Sequence, residues 1–239
     1  MSYLRALEDF RKARSQAAME RIVARLRGRS ADLLSYDDVR QRLGAGIAGR
    51  RELREIPLDA IVGSVGRYSD FTRKFLPRTD DGQERWIRVM SAVTGLGGLP
   101  PIEVYQIGDV YFVRDGNHRV SVARQLDAGS IQAYVTQLQT PVPFSPDVQP
   151  DDLILKEEYA QFLRRTRLDE IRPEAYLTVT SPGRYPKLLE HIEVHRYYTG
   201  LDQQRDIPFD EAVGHWYDTV YLPVVGVIRA RGILRDFPG

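Results

Sequence analysis

The chain has 239 residues, 42% of them hydrophobic and 28% charged, with a formal net charge of +1. That length holds one sizeable core plus a smaller module, and the charge balance excludes both a disordered chain and a binder that relies on a uniformly basic surface. The lack of cysteine excludes disulfides, thiolate metal sites and thiol nucleophiles.

Residues 1–14 are charged throughout, with no secretory h-region, and no stretch reaches the roughly 20 apolar residues of a membrane helix. A cytoplasmic protein with no membrane partner is expected. Residues 2–26 place Leu4, Leu7, Phe10, Met19, Ile22, Val23 and Leu26 at spacings of three and four, which predicts an amphipathic helix with arginines on its other face. A short helix over 36–43 is introduced by Ser35 and closed by Gly44. Gly44, Gly46 and Gly49 mark 44–54 as a linker. The expected division is therefore an N-terminal helical extension (1–53), a core (54–140) and a C-terminal helical region (151–239).

Within the core, 54–62 reads as a strand and turn, and 66–78 is polar, with Arg67, Arg73, Lys74 and Arg78 among aromatics. A helix over 83–93 puts Trp86, Ile87, Met90 and Val93 on one face, and the glycine- and proline-rich stretch 95–101 stops it. Strands are predicted over 102–107 and 110–113, joined by the two-residue turn Gly108-Asp109. A helix carrying Val120, Val122, Ala123 and Leu126 follows, ended by Gly129, and then a strand over 130–138. The proline cluster 141–150 is a rigid connector. Helices are expected over 151–167, within 182–198 and over 209–234, the last kinked at Pro223. The fold class is α/β (α+β): a small mixed sheet with helical extensions at both ends.

Asp115-Gly116-Asn117-His118-Arg119 falls where a strand gives way to a helix. First-turn N–H groups and the positive end of the helix dipole favour an anion there. Gly116 lets backbone approach a ligand closely, Asn117 or Asp115 can cap the helix, and His118 and Arg119 add donors at the same end. By chemistry alone the turn reads equally as a phosphate cradle and as a capped helix start. A phosphotransferase would also need a carboxylate to take a proton or hold magnesium, and Asp115 and Asp70 are the candidate catalytic residues. Asp80 and Asp81 read as loop acids. His191 and His195 are four apart but lack a third ligand, so no metal site is expected. Trp216, Tyr217 and Tyr221, with Tyr197 and Tyr198 upstream, read as core, more than as a stacking platform for bases.

The strand pair, the Gly-x-x-Arg helix start and the following strand resemble the core of the ParB/sulfiredoxin-like superfamily over about residues 54–138. ParB proteins carry Gly-Glu-Arg-Arg followed by Arg-Ala-Ala. The corresponding run here is Gly116-Asn117-His118-Arg119-Val120-Ser121-Val122-Ala123, with His118 in place of an arginine. The segment Ile56-Pro57-Leu58-Asp59-Ala60-Ile61 also resembles the first strand of ParB domains. Kinases that phosphorylate free serine have a similar Asp-Gly-x-His-Arg turn, and sulfiredoxins a Cys-His-Arg version. Sulfinic-acid repair is ruled out, because it needs a thiol. The resemblance implies a nucleoside triphosphate (CTP or ATP) with magnesium, held by Gly116, Asn117, His118 and Arg119 with help from Arg67 and Arg73.

Three functions follow from that implication. One is a nucleotide-dependent switch or regulator; another is a small-molecule kinase of the free-serine type, or an NTP hydrolase, using Asp70 or Asp115. The third is a DNA-binding, partition-like or transcriptional regulator. Nucleic acid is compatible with the basic N-terminal helix but is not indicated by net charge, and a homodimer is compatible with all three. The run His215-Trp216-Tyr217-Asp218-Thr219-Val220-Tyr221-Leu222-Pro223 resembles the tail of an uncharacterised bacterial family that joins it to this core.

Overall fold

Alternation along the strands Ile102–Ile107 (β5) and Val110–Asp115 (β6) sends Ile102, Val104 and Val113 to one face of a sheet and Tyr105, Ile107 and Phe112 to the other. Each set is apolar, so the sheet is covered on both faces and a core lies on either side. The computed structural model describes residues 3–93, 100–149 and 152–232, which fall into two units, Met1–Leu153 and Ile154–Gly239.

The first unit begins with the helix Tyr3–Leu26 (α1), the strand Leu34–Ser35 (β1) and the helix Tyr36–Leu43 (α2). The strands Gly46–Ile47 (β2), Glu52–Pro57 (β3) and Ile61–Ser64 (β4) follow, and then the helix Gln83–Val93 (α3). After β5 and β6 come the helix Asn117–Gln125 (α4) and the strand Ser130–Gln139 (β7). The sheet runs β1-β4-β6-β5-β7-β2, with β3 also paired to β7. It is mixed: β1–β4, β4–β6 and β5–β7 are parallel, whereas β5–β6, β7–β2 and β7–β3 are antiparallel. Helices and a mixed sheet make the α/β (α+β) class, as expected from the sequence.

Local signals match closely in α2, where Ser35 Oγ accepts from the Asp38 N–H and Gly44 takes φ 64° at the C-cap. Three expectations are corrected. Residues 44–54 are not a free linker, because Ile47 pairs with Leu138 and Glu52 with Val135, so the division placed at 53/54 falls inside the first unit. On α1 the buried positions are Ala6, Phe10, Ala13 and Ala17, while Leu4, Met19, Ile22 and Leu26 are exposed; small residues on the inner face let the helix lie close to α3. Helix α4 closes at Leu126 and Asp127, the latter at φ 53°, ahead of Gly129. The helix-stopping residues 95–99 and Pro150 lie outside the described residues.

The second unit consists of the helices Asp152–Thr166 (α5, whose first two residues belong to the first unit), Leu168–Ile171 (α6), Arg184–Gln203 (α7), Phe209–Trp216 (α8) and Leu222–Ala230 (α9). Tyr159, Phe162 and Tyr185 form an aromatic core, Tyr159 stacking on Tyr185 with ring centroids 5.1 Å apart. Around Pro223, where a kink is expected, the winding of the helix changes. Residues Tyr217–Tyr221 widen into a π-helical turn directly before α9, whose first turn holds the proline, so its missing N–H interrupts no regular α-helical ladder. Residues 233 and 234 of that predicted helix lie outside the described residues. No helix among the described residues is long and apolar enough to cross a membrane.

Candidate functional site

Strand β6, in the interior of the sheet, ends at Asp115, and Gly116 turns the chain into α4 as its N-cap, at φ 115° and ψ 20°. An L side chain is disfavoured at that φ, and a Cβ would also lie 2.5 Å from Ile102 Cγ2. No side chain caps the helix. The expectation that Asn117 or Asp115 would do so is therefore corrected. Asn117 is instead buried, its side-chain amide 2.9 Å from Ser64 Oγ, which lies 3.1 Å from the Val113 carbonyl. One hydroxyl hydrogen serves one acceptor. The Val113 carbonyl already accepts from the Val65 N–H at 2.8 Å, so the Ser64 hydroxyl is free to donate to Asn117 Oδ1. Asn117 thus locks α4 to β4.

Arg119 is held more firmly than a surface cation. Its side chain is 14% exposed, it donates to the carbonyls of Pro100 (2.9 Å) and Pro101 (2.7 Å), and it pairs with Asp115. His118 is buried: its ring meets Phe71 edge-on at 5.3 Å between centroids, and a Cβ on Gly82 would lie 2.6 Å from its Cε1. Nδ1 of His118 is sealed from solvent and has no partner. Burial, helped by the charges of Arg67 and Arg85 and opposed by Asp70, pushes the imidazole down to about 4. His118, expected as a donor at the helix start, is thus a neutral ring at neutral pH.

That depression sets a pH dependence. The unfolded chain binds a proton near pH 6.5 and the folded chain only near pH 4, so stability falls as pH drops through that window and is complete above it. Discounted for solvent entering from the site, the loss should be about 2 kcal/mol. His118→Asn removes the titration, so the difference in melting temperature between wild type and variant should change between pH 7 and 4.5; a constant difference would contradict the assignment.

Arg67 reaches the same place. Its Nη1 lies 3.4 Å from His118 Nε2 and its Nε is 2.8 Å from the Asp70 carboxylate. Asp70 therefore stands behind Arg67. Arg73, expected as a second helper, does not join them: its guanidinium donates to the carbonyls of Pro146 and Val148 and faces a different cavity. In its place α3 contributes Arg85 and Arg88, exposed and without an ion-pair partner among the described residues, and β6 contributes Arg114, 3.5 Å from Glu103. The resulting cleft, about 330 Å³, is lined by Arg67, Arg85, Arg88, Arg114 and Arg119 with Asp115 as its carboxylate, and Val65, Val89 and Ala92 add apolar surface.

Elsewhere in the first unit, Asp80 pairs with Arg14. In the second, His195 Nε2 lies 2.7 Å from His215 Nδ1, and among the described residues no three potential metal ligands cluster. Trp216 and Tyr217 are buried, as core residues should be, whereas Tyr221 is half-buried and Tyr197 and Tyr198 are exposed, which corrects the core reading for those two; Asp218 pairs with Arg172.

No family model and no curated protein matches the chain. Among solved structures, sulfiredoxin from Arabidopsis thaliana is similar over 37% of this chain and 88% of its own length, with 22% identity and a TM-score of 0.29.

Proposed function

We propose that the cleft over the first turn of α4 binds the phosphates of a nucleoside triphosphate, with magnesium carried on the phosphates, and that occupancy acts as a switch. The observation that supports this reading is the convergence of five arginines from β6, α3, α4 and the 65–82 segment on one helix start, with one carboxylate among them. Guanidinium forks match phosphate oxygens bidentately, and the unoccupied first-turn N–H groups add donors of the same sign. The apolar strip of Val65, Val89 and Ala92 offers a surface for a sugar or base. Asp70 and Asp115 are each paired with an arginine, an arrangement that favours holding phosphates over taking a proton from an acceptor.

Titrating ATP, CTP, GTP and ADP with magnesium against melting temperature tests the reading. A ligand at about a hundred times its dissociation constant adds roughly 2.7 kcal/mol. Arg85→Ala with Arg88→Ala removes two exposed, unpaired cations, so the fold should be unchanged while affinity drops at least tenfold, ~1.4 kcal/mol. Absence of any nucleotide shift, or full affinity in the double variant, would defeat the proposal. The switch is read by hydrogen exchange: nucleotide should alter protection at amides outside the cleft, and protection confined to the α4 start would leave a binding site without a switch.

A further inference from the structure

A second cavity in the first unit, of about 960 Å³, lies among α1, the residues around Leu58 and Leu76, and the C-terminal half of α4. Two of its residues are unusual. Arg73 and Arg124 each use a guanidinium nitrogen to grip backbone: Arg73 donates to Pro146 O (3.1 Å) and Val148 O (2.7 Å), Arg124 to Leu58 O (2.5 Å) and Ile61 O (3.3 Å). Those bonds position the two side chains but neutralise neither. Among the described residues neither has a carboxylate within ion-pair distance, and Arg73 Nη1 and Arg124 Nε are sealed from solvent with no acceptor. Burial lowers Arg73 to about 10, with the positive charge of Arg124 adding to the effect, and burial lowers Arg124 as well.

Two neighbouring half-buried cations that repel one another are destabilising unless a counter-charge is present. The carboxylates on these walls do not provide it. Glu20 accepts from the Thr72 hydroxyl, and Asp59 with Glu20 acts on Arg124 only at longer range, while Asp127 pairs with neither arginine. Cations line the cavity in twice the number of carboxylates, Lys12, Arg27, Arg29 and Lys74 joining the half-buried pair. We propose that this cavity is a second anion site, separate from the cleft at Asp115–Arg119, which takes a small dianion such as a phosphate ester or a dicarboxylate between Arg73 and Arg124. Planar guanidiniums held by carbonyls through Nη2 can engage an oxyanion with the nitrogens that are neither bonded nor sealed, Nε of Arg73 and Nη1 of Arg124. Arg124 sits on the same helix as Arg119, so the two sites share α4 as a wall.

The test uses the full chain at constant ionic strength, with chloride replaced stepwise by inorganic phosphate, pyrophosphate or malonate. The melting temperature should rise saturably, the rise should persist in the Arg85→Ala/Arg88→Ala variant, and affinity should fall at least tenfold in Arg124→Gln. Should Arg124→Gln fail to fold, the wild type carries its own readout, because the Nε–H resonances of Arg73 and Arg124 should shift on titration. Preference for phosphate or for malonate identifies the ligand class. A non-saturating response, an effect abolished by the cleft variant, or unmoved Arg73 and Arg124 resonances would each overturn the second site.

Discussion

Replacing Trp86 with alanine is expected to lower stability by about 4 kcal/mol and to weaken binding in the arginine cleft at the same time. Trp86 is fully buried, meets Phe10 of α1 edge-on with centroids 5.6 Å apart, and donates its indole N–H to Ser121 Oγ at 2.9 Å. One side chain therefore ties α3 to α1 and to α4. Arg85 precedes it and Arg88 follows two residues later on the opposite face, so the grip of Trp86 on α4 holds those guanidiniums over the Asp115–Arg119 turn. Alanine removes the hydrogen bond and leaves a void at the junction of three helices, whereas Trp86→Phe keeps most of the volume and should cost only about 1–2 kcal/mol. Urea unfolding separates the two variants through the transition midpoint at constant slope. An alanine variant less than about 1 kcal/mol below wild type would mean that α3 is not anchored through this residue.

Helix α3, the β5–β6 hairpin, strand β7 and the caps of α2 were legible in the sequence because their signals are local: apolar period, turn glycine, capping serine. What escaped is nonlocal. The glycine-rich stretch holds β2, which pairs with residues about ninety positions later, and no short window reports such pairing. Helix α1 shows the correct period but buries its alanines, because the distance to α3, and not hydrophobicity, selects the inner face. Arg67 and Arg73 are six apart and look like one basic patch. The chain turns between them, the Asp70 N–H bonding to Arg67 O at 3.2 Å, and the two arginines end in different cavities. Arg85 and Arg88 were visible as the polar face of α3, the ordinary appearance of a solvated helix side. The bond between Trp86 and Ser121 and the close approach of Gly82 to His118 show that this side overhangs the α4 start.

Among the cleft arginines, Arg119 should be the most sensitive to replacement, because it alone serves both the fold and the charge of the site. The side chains of Arg67 and Arg114 are 46% and 58% exposed against 14% for Arg119, whose guanidinium binds the chain entering β5 and pairs with the end of β6. Arg119→Ala should cost about 2 kcal/mol of stability without ligand, since two carbonyls lose a charged donor. Nucleotide affinity should fall at least a hundredfold, ~2.7 kcal/mol. Lysine at this position keeps the charge and loses the fork, so it should restore little of either. Calorimetric titration at a temperature where every variant is folded keeps the two effects apart, and wild-type affinity in Arg119→Ala would remove Arg119 from the site. Asp115→Asn gives the opposite sign: it takes the one carboxylate out of the cleft, so a phosphate cradle should bind its anion a few-fold more tightly. A role for Asp115 in proton transfer would instead leave binding intact and abolish turnover. The two variants together therefore separate a cradle for phosphates from a catalyst that acts on them.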